Sequence, residues 1–364
     1  MDSQSLAHLS NLVLYGAMGV LAFTMIAFAV HLAYTASARS QHTGRQRERT
    51  PVAVAAGVGE RATVEELPQD VVSDSTSASA SASASASGSS SADPSERAAS
   101  DAASRADLGT RAGGIAMSLA WLGTLLLGFS LVLRGLSVHR APVSNMFEFA
   151  CAAAFLVMLV YLALAMKRPL RWLGLFVVTP VLLALGLAIT VWYTPASELV
   201  PSLKSTWLVI HVPVAILSTA VFTVAFCVLL LHLWQARREA FLAQGRPVRF
   251  DRFLSTLPDS ASLDRTAYSL VVVAFPLWTF TLIAGAIWGQ QAWGTYWSWD
   301  PKEVWTFVIW VIYAAYLHAR ATAGWSLRTA NLIAVVGYLA IIANFTIVNY
   351  YLPGMHSYSG LVTP

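Results

Sequence analysis

Residues 266–320 read TAYSLVVVAFPLWTFTLIAGAI (266–287), WGQQAWGTYWSWDPKE (288–303) and VWTFVIWVIYAAYLHAR (304–320). The first and third runs are mostly apolar, and the first is long enough for a helix to cross a bilayer core, which takes about 20 residues. The middle run is aromatic and ends in a helix start, with Asp300 at the N-cap position, Pro301 next and Glu303 completing a capping box. The stretch therefore predicts two membrane-spanning helices joined by an aromatic loop.

The composition extends this interpretation to the whole chain. Its 364 residues are 56% hydrophobic and 12% charged, with a mean hydropathy of +0.59, which excludes an ordinary soluble domain. We predict an all-α integral membrane protein with about eight transmembrane helices. The predicted segments are 12–34, 114–133, 147–166, 173–193, 207–234, 266–287, 304–320 and 330–350.

The basic residues indicate the topology. Of the 23 Lys and Arg residues, 19 fall in alternate connections, namely 35–113, 167–171, 235–265 and 320–329. The positive-inside rule places these connections in the cytoplasm, so both termini and the aromatic loop are expected on the outer side. The basic pI reports this topology, and we find no nucleic-acid signal.

Composition also divides the chain into three parts. Residues 1–34 are predicted to form an N-terminal transmembrane anchor. Residues 35–113 are predicted to be a disordered, Ser/Ala-rich cytoplasmic linker, because the tract has too little apolar content to build a core. Residues 114–364 are predicted to form a seven-helix membrane domain whose tryptophan-rich loop, 288–303, lies outside.

Several chemistries find no support in the sequence. Cys151 and Cys227 lie singly in apolar runs with no Cys-x-x-Cys motif, so neither a disulfide framework nor a thiol redox pair is indicated. Hydrolase and nucleotide motifs such as Gly-x-Ser-x-Gly and the Walker loop are also missing. Hydrolysis and nucleotide chemistry therefore lose support.

Two histidines are predicted to lie level with the aromatic loop. His211 is near the outer start of one segment and His356 follows the last. Two neutral imidazoles there could ligate a haem iron from opposite faces, while Trp293, Trp297 and Trp299 would offer flat surfaces to a planar ligand. The alternatives are solvated interfacial histidines and an ordinary interfacial belt of tryptophans.

Three further positions have a structural and a functional interpretation. Asp300 can act as the helix cap alone, which we favour over direct catalysis. His318 is expected about 26 Å along its helix from Pro301, at the cytoplasmic end, either as a haem ligand or as a polar tip. In the outer loop before residue 148, Asn145 is expected to cap a helix, and His139 and Arg140 could alternatively meet haem propionates.

The sequence Trp-Gly-x-x-Trp-x-Trp-Asp at 293–300 resembles the WWD signature of haem-handling proteins of cytochrome c maturation. The flanking His211 and His356 resemble that family's two external histidines. Within it, the chain is similar to the CcsA/ResC type, called CcsB in some actinobacteria. The resemblance covers roughly 114–364, including Pro-x-Ser-Asn-x-x-Glu at 142–148 and Tyr-Leu-His-x-Arg at 316–320.

The resemblance implies that haem b, as the substrate, is held by His211 and His356 over a loop to which Trp293, Trp297, Trp299 and Asp300 belong. The resemblance also makes His318 a membrane haem ligand that helps pass haem outward. The expected partners are a ResB-like membrane protein that supplies the opposite inner ligand, an apocytochrome c with a Cys-x-x-Cys-His motif, and a thiol-reducing thioredoxin-like protein. The chain would form part of a system II holocytochrome c synthase in a bacterial plasma membrane.

Two alternatives stay open. One is a CcmC-like haem chaperone that loads a carrier without forming thioethers, although this chain has two segments more than a six-span core. The other is a cytochrome b-like electron-transfer protein, which would usually place its ligand pairs within facing spans.

Overall fold

A computed structural model describes residues 2–49, 94–196 and 205–356, without the side chains of 38–49 and 94–99. These residues are helical apart from short connections. The helices are α1 (Ser3–Arg49), α2 (Pro94–Val138), α3 (Met146–Lys167), α4 (Gly174–Thr190), α5 (Thr206–Ala243), α6 (Asp251–Leu254), α7 (Ser260–Trp293), α8 (Pro301–Ala321), α9 (Leu327–Ala343) and α10 (Asn349–Tyr351). A π-helical turn, Asn344–Val348, joins the last two.

Eight of these elements are long and apolar enough to cross a membrane, which confirms the predicted fold class. The seventh predicted segment, 304–320, corresponds to α8. The aromatic loop is shorter than predicted, because α7 continues to Trp293 and ends at Gly294, whose left-handed φ of 78° closes the helix. Its irregular residues are 294–300.

The ends of neighbouring helices meet at two opposite ends of the bundle. Tyr193, after α4, accepts a hydrogen bond from Asn11 on α1 (2.9 Å) and packs edge-on against Phe147 at the start of α3. Trp192 also packs on Phe345 near the end of the last span. We call this end of the bundle the loop end, because the aromatic loop leads into Lys302, which contacts Asn344 beside Phe345. The opposite, far end holds the junctions α3–α4 and α8–α9.

Helix α5 is the most deeply buried span and packs against α3, α7 and α9. Ser218 donates to the Ala274 carbonyl of α7 (2.9 Å), and Tyr338 of α9 donates to Thr223 (2.9 Å). Cys227 is buried in the same core, and both cysteines are free, as expected. This central helix also carries His211.

Helix α1 packs into the bundle. It runs antiparallel to α2 and also contacts α4, and Leu14, Leu21 and Phe28 are buried in the core that the other spans share. The chain's first span is therefore an integral part of the helix bundle in addition to being an N-terminal membrane segment.

Both helices also extend into the predicted linker 35–113, since α1 reaches Arg49 and α2 begins at Pro94. Ala and Arg favour helix, and a helix already nucleated by packing needs no apolar face to continue. The lack of apolar residues after residue 34 and before residue 114 therefore does not mark the end of α1 or the start of α2. Residues 50–93 lie outside the described part of the chain, and their disorder stays a prediction.

A buried polar cluster joins three helices at the far end. Arg320 of α8 makes a two-pronged ion pair with Asp264 of α7 (2.7 and 2.9 Å), and Asn331 of α9 donates to the same carboxylate (2.8 Å). Because both charged groups are largely out of solvent, this pairing holds the three helices in register.

Candidate functional site

A cavity of about 490 Å³ opens inside the bundle between α3, α4, α5, α7, α8 and α9. On α5 its wall extends from Leu208 to Thr223, about 22 Å along the helix. The wall is mainly apolar, and both His211 and His356 line it. Its size falls within the range of pockets for large organic ligands.

His211 lies in the second turn of α5, where that helix approaches α7 closely. Its Nδ1 is 3.0 Å from the Thr281 carbonyl oxygen, so in the neutral ring Nδ1 donates and Nε2 keeps its lone pair. Gly285 makes the approach possible, because a Cβ there would lie 2.8 Å from the imidazole Cε1. A fixed Nδ1–H is typical of metal-ligating histidines.

His356 follows α10 and reaches the same cavity from another direction. Its Nδ1 lies 2.8 Å from Oδ2 of Asp300, which leaves Nε2 as the remaining ligand atom. A carboxylate behind a histidine fixes the ring and raises the basicity of its other nitrogen. The two histidines predicted to act together therefore have the same arrangement, each with Nδ1 held by an oxygen.

Trp288 lies against both histidines. Its ring centroid is 6.1 Å from that of His211, with nearly parallel planes, and 5.6 Å from that of His356. The side chain is 2% exposed and lines the cavity, and its indole N–H has no acceptor among the described residues. The site thus contains a buried donor without a partner.

Sequence reasoning did not single out Trp288, because it stands at the boundary between the apolar run 266–287 and the aromatic loop, before the stretch 293–300 that carries the motif. A signal was present: Thr281, Gly285 and Trp288 are four and three residues apart, so they share one face of α7. That face is the one that meets His211.

Asp300 has both a capping and a positioning contact. Its Oδ2 accepts from the Lys302 backbone N–H (3.1 Å), and Glu303 reaches back to the Asp300 N–H (3.2 Å), which confirms the predicted capping box. It also accepts hydrogen bonds from Met355 N and His356. Burial raises the pKa of this carboxyl, but these donors and the neighbouring His356 outweigh burial and hold the pKa below its usual 3.8.

The three tryptophans predicted to offer flat surfaces to the ligand lie in different environments. Trp297 lines the cavity. Trp293 lies outside the cavity lining and packs against Trp288 and His356, with its ring centroid 4.7 Å from each of theirs. Trp299 is 76% exposed, and its backbone is left-handed (φ 62°), a strained state for a bulky residue. The flat surface at the cavity comes from Trp297 and Trp288.

His318 and Arg140 lie apart from the histidine pair. His318 is exposed on α8 near the far end. Arg140 forms an ion pair with buried Glu148 (2.7 Å), which Arg134 also contacts. Asn145 caps α3 by accepting from the Glu148 N–H, as predicted.

The donor set fits a haem iron. No group of three or more His, Cys, Asp or Glu able to hold a bare metal ion occurs within residues 2–49, 94–196 and 205–356. An iron in a porphyrin requires only axial ligands from protein, and two histidines can supply both.

Comparisons with known proteins identify the family to which the chain is similar. The family described as "Cytochrome C assembly protein" matches residues 142–356. The chain is 33% identical over 255 residues to "Cytochrome c biogenesis protein CcsA" of Prochlorococcus marinus, covering 64% of this chain and 80% of that protein. A Synechococcus protein of the same name is 36% identical over 254 residues (64% and 83%), and one from Chlamydomonas reinhardtii 33% over 241 (64% and 65%).

Proposed function

The chain belongs to the cytochrome c assembly protein family, and from this premise we propose that it is the haem-handling and delivery subunit of a system II cytochrome c synthase. It is a multi-pass membrane protein of cytochrome c biogenesis. In the proposal, it presents haem b as a substrate on the outer membrane face. Thioethers to apocytochrome c form there.

The paired arrangement of His211 and His356 carries the proposal. Both line one apolar cavity, both contact Trp288, and each has Nδ1 at hydrogen-bond distance from an oxygen. Each ring therefore keeps Nε2 for iron. Trp297 and Trp288 supply aromatic surface beside the porphyrin.

Two thiols of the apocytochrome would add across the two vinyl groups of the held haem. In each addition a C–S bond forms, the thiol proton goes to the other vinyl carbon, and nothing leaves. This chain need supply no nucleophile, because its residues hold and orient the substrate, which removes much of the entropic barrier. Asp300 acts in the proposal as a positioning residue through His356.

The proposed partners are a ResB-like membrane protein, the apocytochrome with its Cys-x-x-Cys-His motif, and a thiol-reducing thioredoxin-like protein. His318 is exposed at the far end, where a second protein could provide the opposite ligand of an inner haem site. The proposed location is a bacterial plasma membrane, with both termini and the loop end outside.

Haem spectra of single histidine variants test the proposal. The chain is purified with its ResB-like partner, and His211→Ala and His356→Ala are each expected to change the axial-ligand spectrum of bound haem. His318→Ala is expected to leave the outer spectrum intact and to lower haem loading in cells. An unchanged spectrum when His211→Ala and His356→Ala are combined contradicts the ligand assignment.

Deletion of the coding sequence distinguishes the alternatives. Loss of covalent haem on c-type cytochromes, restored by this chain together with a ResB-like protein, supports a synthase subunit. Normal cytochrome c maturation with rapid quinol-dependent haem reduction would indicate an electron-transfer protein, and transfer to a carrier without thioethers would indicate a CcmC-like chaperone.

A further inference from the structure

Lys302 places a basic side chain in the wall of the cavity that His211 and His356 also line. It is the second residue of α8, and its partly buried side chain lines the cavity. The Nζ donates to the Asn344 carbonyl (2.9 Å) and to Asn349 Oδ1 (2.7 Å), at the π-helical turn and the start of α10. An ammonium has three N–H donors, so one remains beyond these two contacts.

No carboxylate forms an ion pair with Lys302 within the described ranges. The two nearest in sequence are engaged elsewhere, since Asp300 binds Met355 and His356 and Glu303 binds the Ser298 N–H (2.8 Å). A cation beside an apolar cavity is costly without an anion. Lys302 therefore has a donor for one negative group of a ligand, while the Glu303 carboxylate in the same wall is held by the Ser298 and Asp300 N–H groups.

The position of Lys302 is coupled to that of the proposed iron ligand. One carboxylate, that of Asp300, accepts from the Lys302 backbone N–H and from His356 Nδ1. The start of α8 and the imidazole are thus held to the same carboxylate oxygen, Oδ2 of Asp300. Lys302 and His356 also line the same cavity, so a ligand bound through His356 shares that cavity with the Lys302 side chain.

We propose that Lys302 binds a carboxylate of the substrate, one of the two propionates of haem, and so sets the rotation of the porphyrin about the axis through the iron. This inference rests on the proposed haem-handling function. The vinyl groups lie at the other edge of the porphyrin, so anchoring a propionate fixes where the vinyl groups face the thiols. Lys302 is then a specificity-determining residue, because it selects carboxylate-bearing porphyrins.

Arg140 is the arginine that the sequence predicted could meet the haem propionates. It lies outside the cavity lining and is paired with Glu148, which also binds Arg134. Arg134 of α2 and Arg140 of the following loop thus both hold the start of α3. Among the described residues, Lys302 is the one Lys or Arg that lines the cavity.

The proposal is tested by measuring the affinities of two proteins, wild type and Lys302→Met, for two ligands. The purified full-length chain in detergent is titrated with haem and with haem dimethyl ester, whose propionates carry no charge. Wild type is expected to prefer haem, and the ratio of the two affinities is expected to fall about tenfold in Lys302→Met, the size of one charge-assisted hydrogen bond. Lys302→Arg is expected to keep most of the preference.

Asn349→Ala is the matched control, because it removes the contact between Lys302 and α10 and leaves the Lys302 side chain in place. It is expected to weaken both ligands equally and to retain the preference. An unchanged affinity ratio in Lys302→Met, or equal weakening of both ligands, overturns the proposal and leaves a purely structural lysine. Absence of haem binding by wild type overturns the proposed function and this inference with it.

Discussion

One neighbouring residue controls the position of each proposed iron ligand. Gly285 lets α7 approach the His211 ring, and Asp300 holds His356 by its Nδ1. The cap at Asp300 was predictable because capping is local and readable in Asp-Pro-Lys-Glu. Its bond to His356 was not, because the two residues are 56 positions apart and only folding brings them together.

Gly285→Ala is expected to displace His211. The added Cβ would lie 2.8 Å from Cε1, so the ring must turn away from its present direction. Haem affinity, measured by spectral titration, should fall by about tenfold or more. Gly186→Ala on α4 is the control, since a Cβ there meets nothing within 4 Å, and equal affinity loss in both variants would contradict this account.

Asp300→Asn is expected to separate positioning from capping. Asn also caps helices well, so the start of α8 should persist, but the charge opposite His356 is lost. Removing a carboxylate behind a metal-ligating histidine typically costs about 10- to 100-fold in metal affinity. Haem titration measures this loss of affinity. In thermal unfolding, Asp300→Ala should also lose the helix cap, which lowers its stability by about 1 kcal/mol relative to Asp300→Asn.

The segment between α10 and His356 is docked onto the start of α8, and this docking depends on the ionised Asp300. Gly354 permits the contact, because a Cβ there would overlap the Asp300 carboxyl. The folded pKa of Asp300 lies below 3.8, so the ionised form contributes stability that is complete at neutral pH. That contribution is lost as the pH falls through the lowered pKa.

Hydrogen exchange at the Met355 amide gives the pH test. Protection is expected to hold from neutral pH down to about 4 and to be lost below that range. The exchange rates are corrected for the intrinsic effect of pH, and a peptide from the centre of α5 serves as the control. Release of the segment near pH 6 would show that a group other than Asp300 controls it.

The ion pair at the far end is expected to support the bundle and not the loop-end site. Asp264→Ala leaves the largely buried Arg320 without its partner, which typically costs about 3–5 kcal/mol. The thermal unfolding midpoint in detergent should drop, while the haem spectrum of folded protein stays the same. Replacing Asp264 and Arg320 together by Leu should recover part of the loss, and no recovery would contradict the buried-charge explanation.

At the level of elements, the eight spans were predictable because bilayer thickness sets a length and composition that the chain displays directly. The positions at which α1 ends and α2 begins were not, because residues such as Ala and Arg continue a helix without an apolar signal. The packing of α1 on α4 was also hidden, since Phe28 looks the same whether it faces lipid or Gly174.

The orientation of the whole molecule can be tested with matched cysteine variants. In a background of Cys151→Ala and Cys227→Ala, Trp299→Cys lies at the loop end and Trp325→Cys between α8 and α9, and both parent side chains are exposed. An impermeant thiol reagent added outside intact cells should label the first and reach the second only after permeabilisation. The reverse pattern would overturn the topology predicted from the basic residues.

The two histidines differ in how firmly the chain holds them. His211 belongs to a buried helix, whereas His356 lies beyond α10 and is held through side chains, chiefly Asp300. In a ligand-exchange reaction the more weakly tethered donor dissociates sooner, so we expect His356 to be the leaving ligand when the histidine of an apocytochrome attacks. His211 would remain bound as the spectator until the product departs.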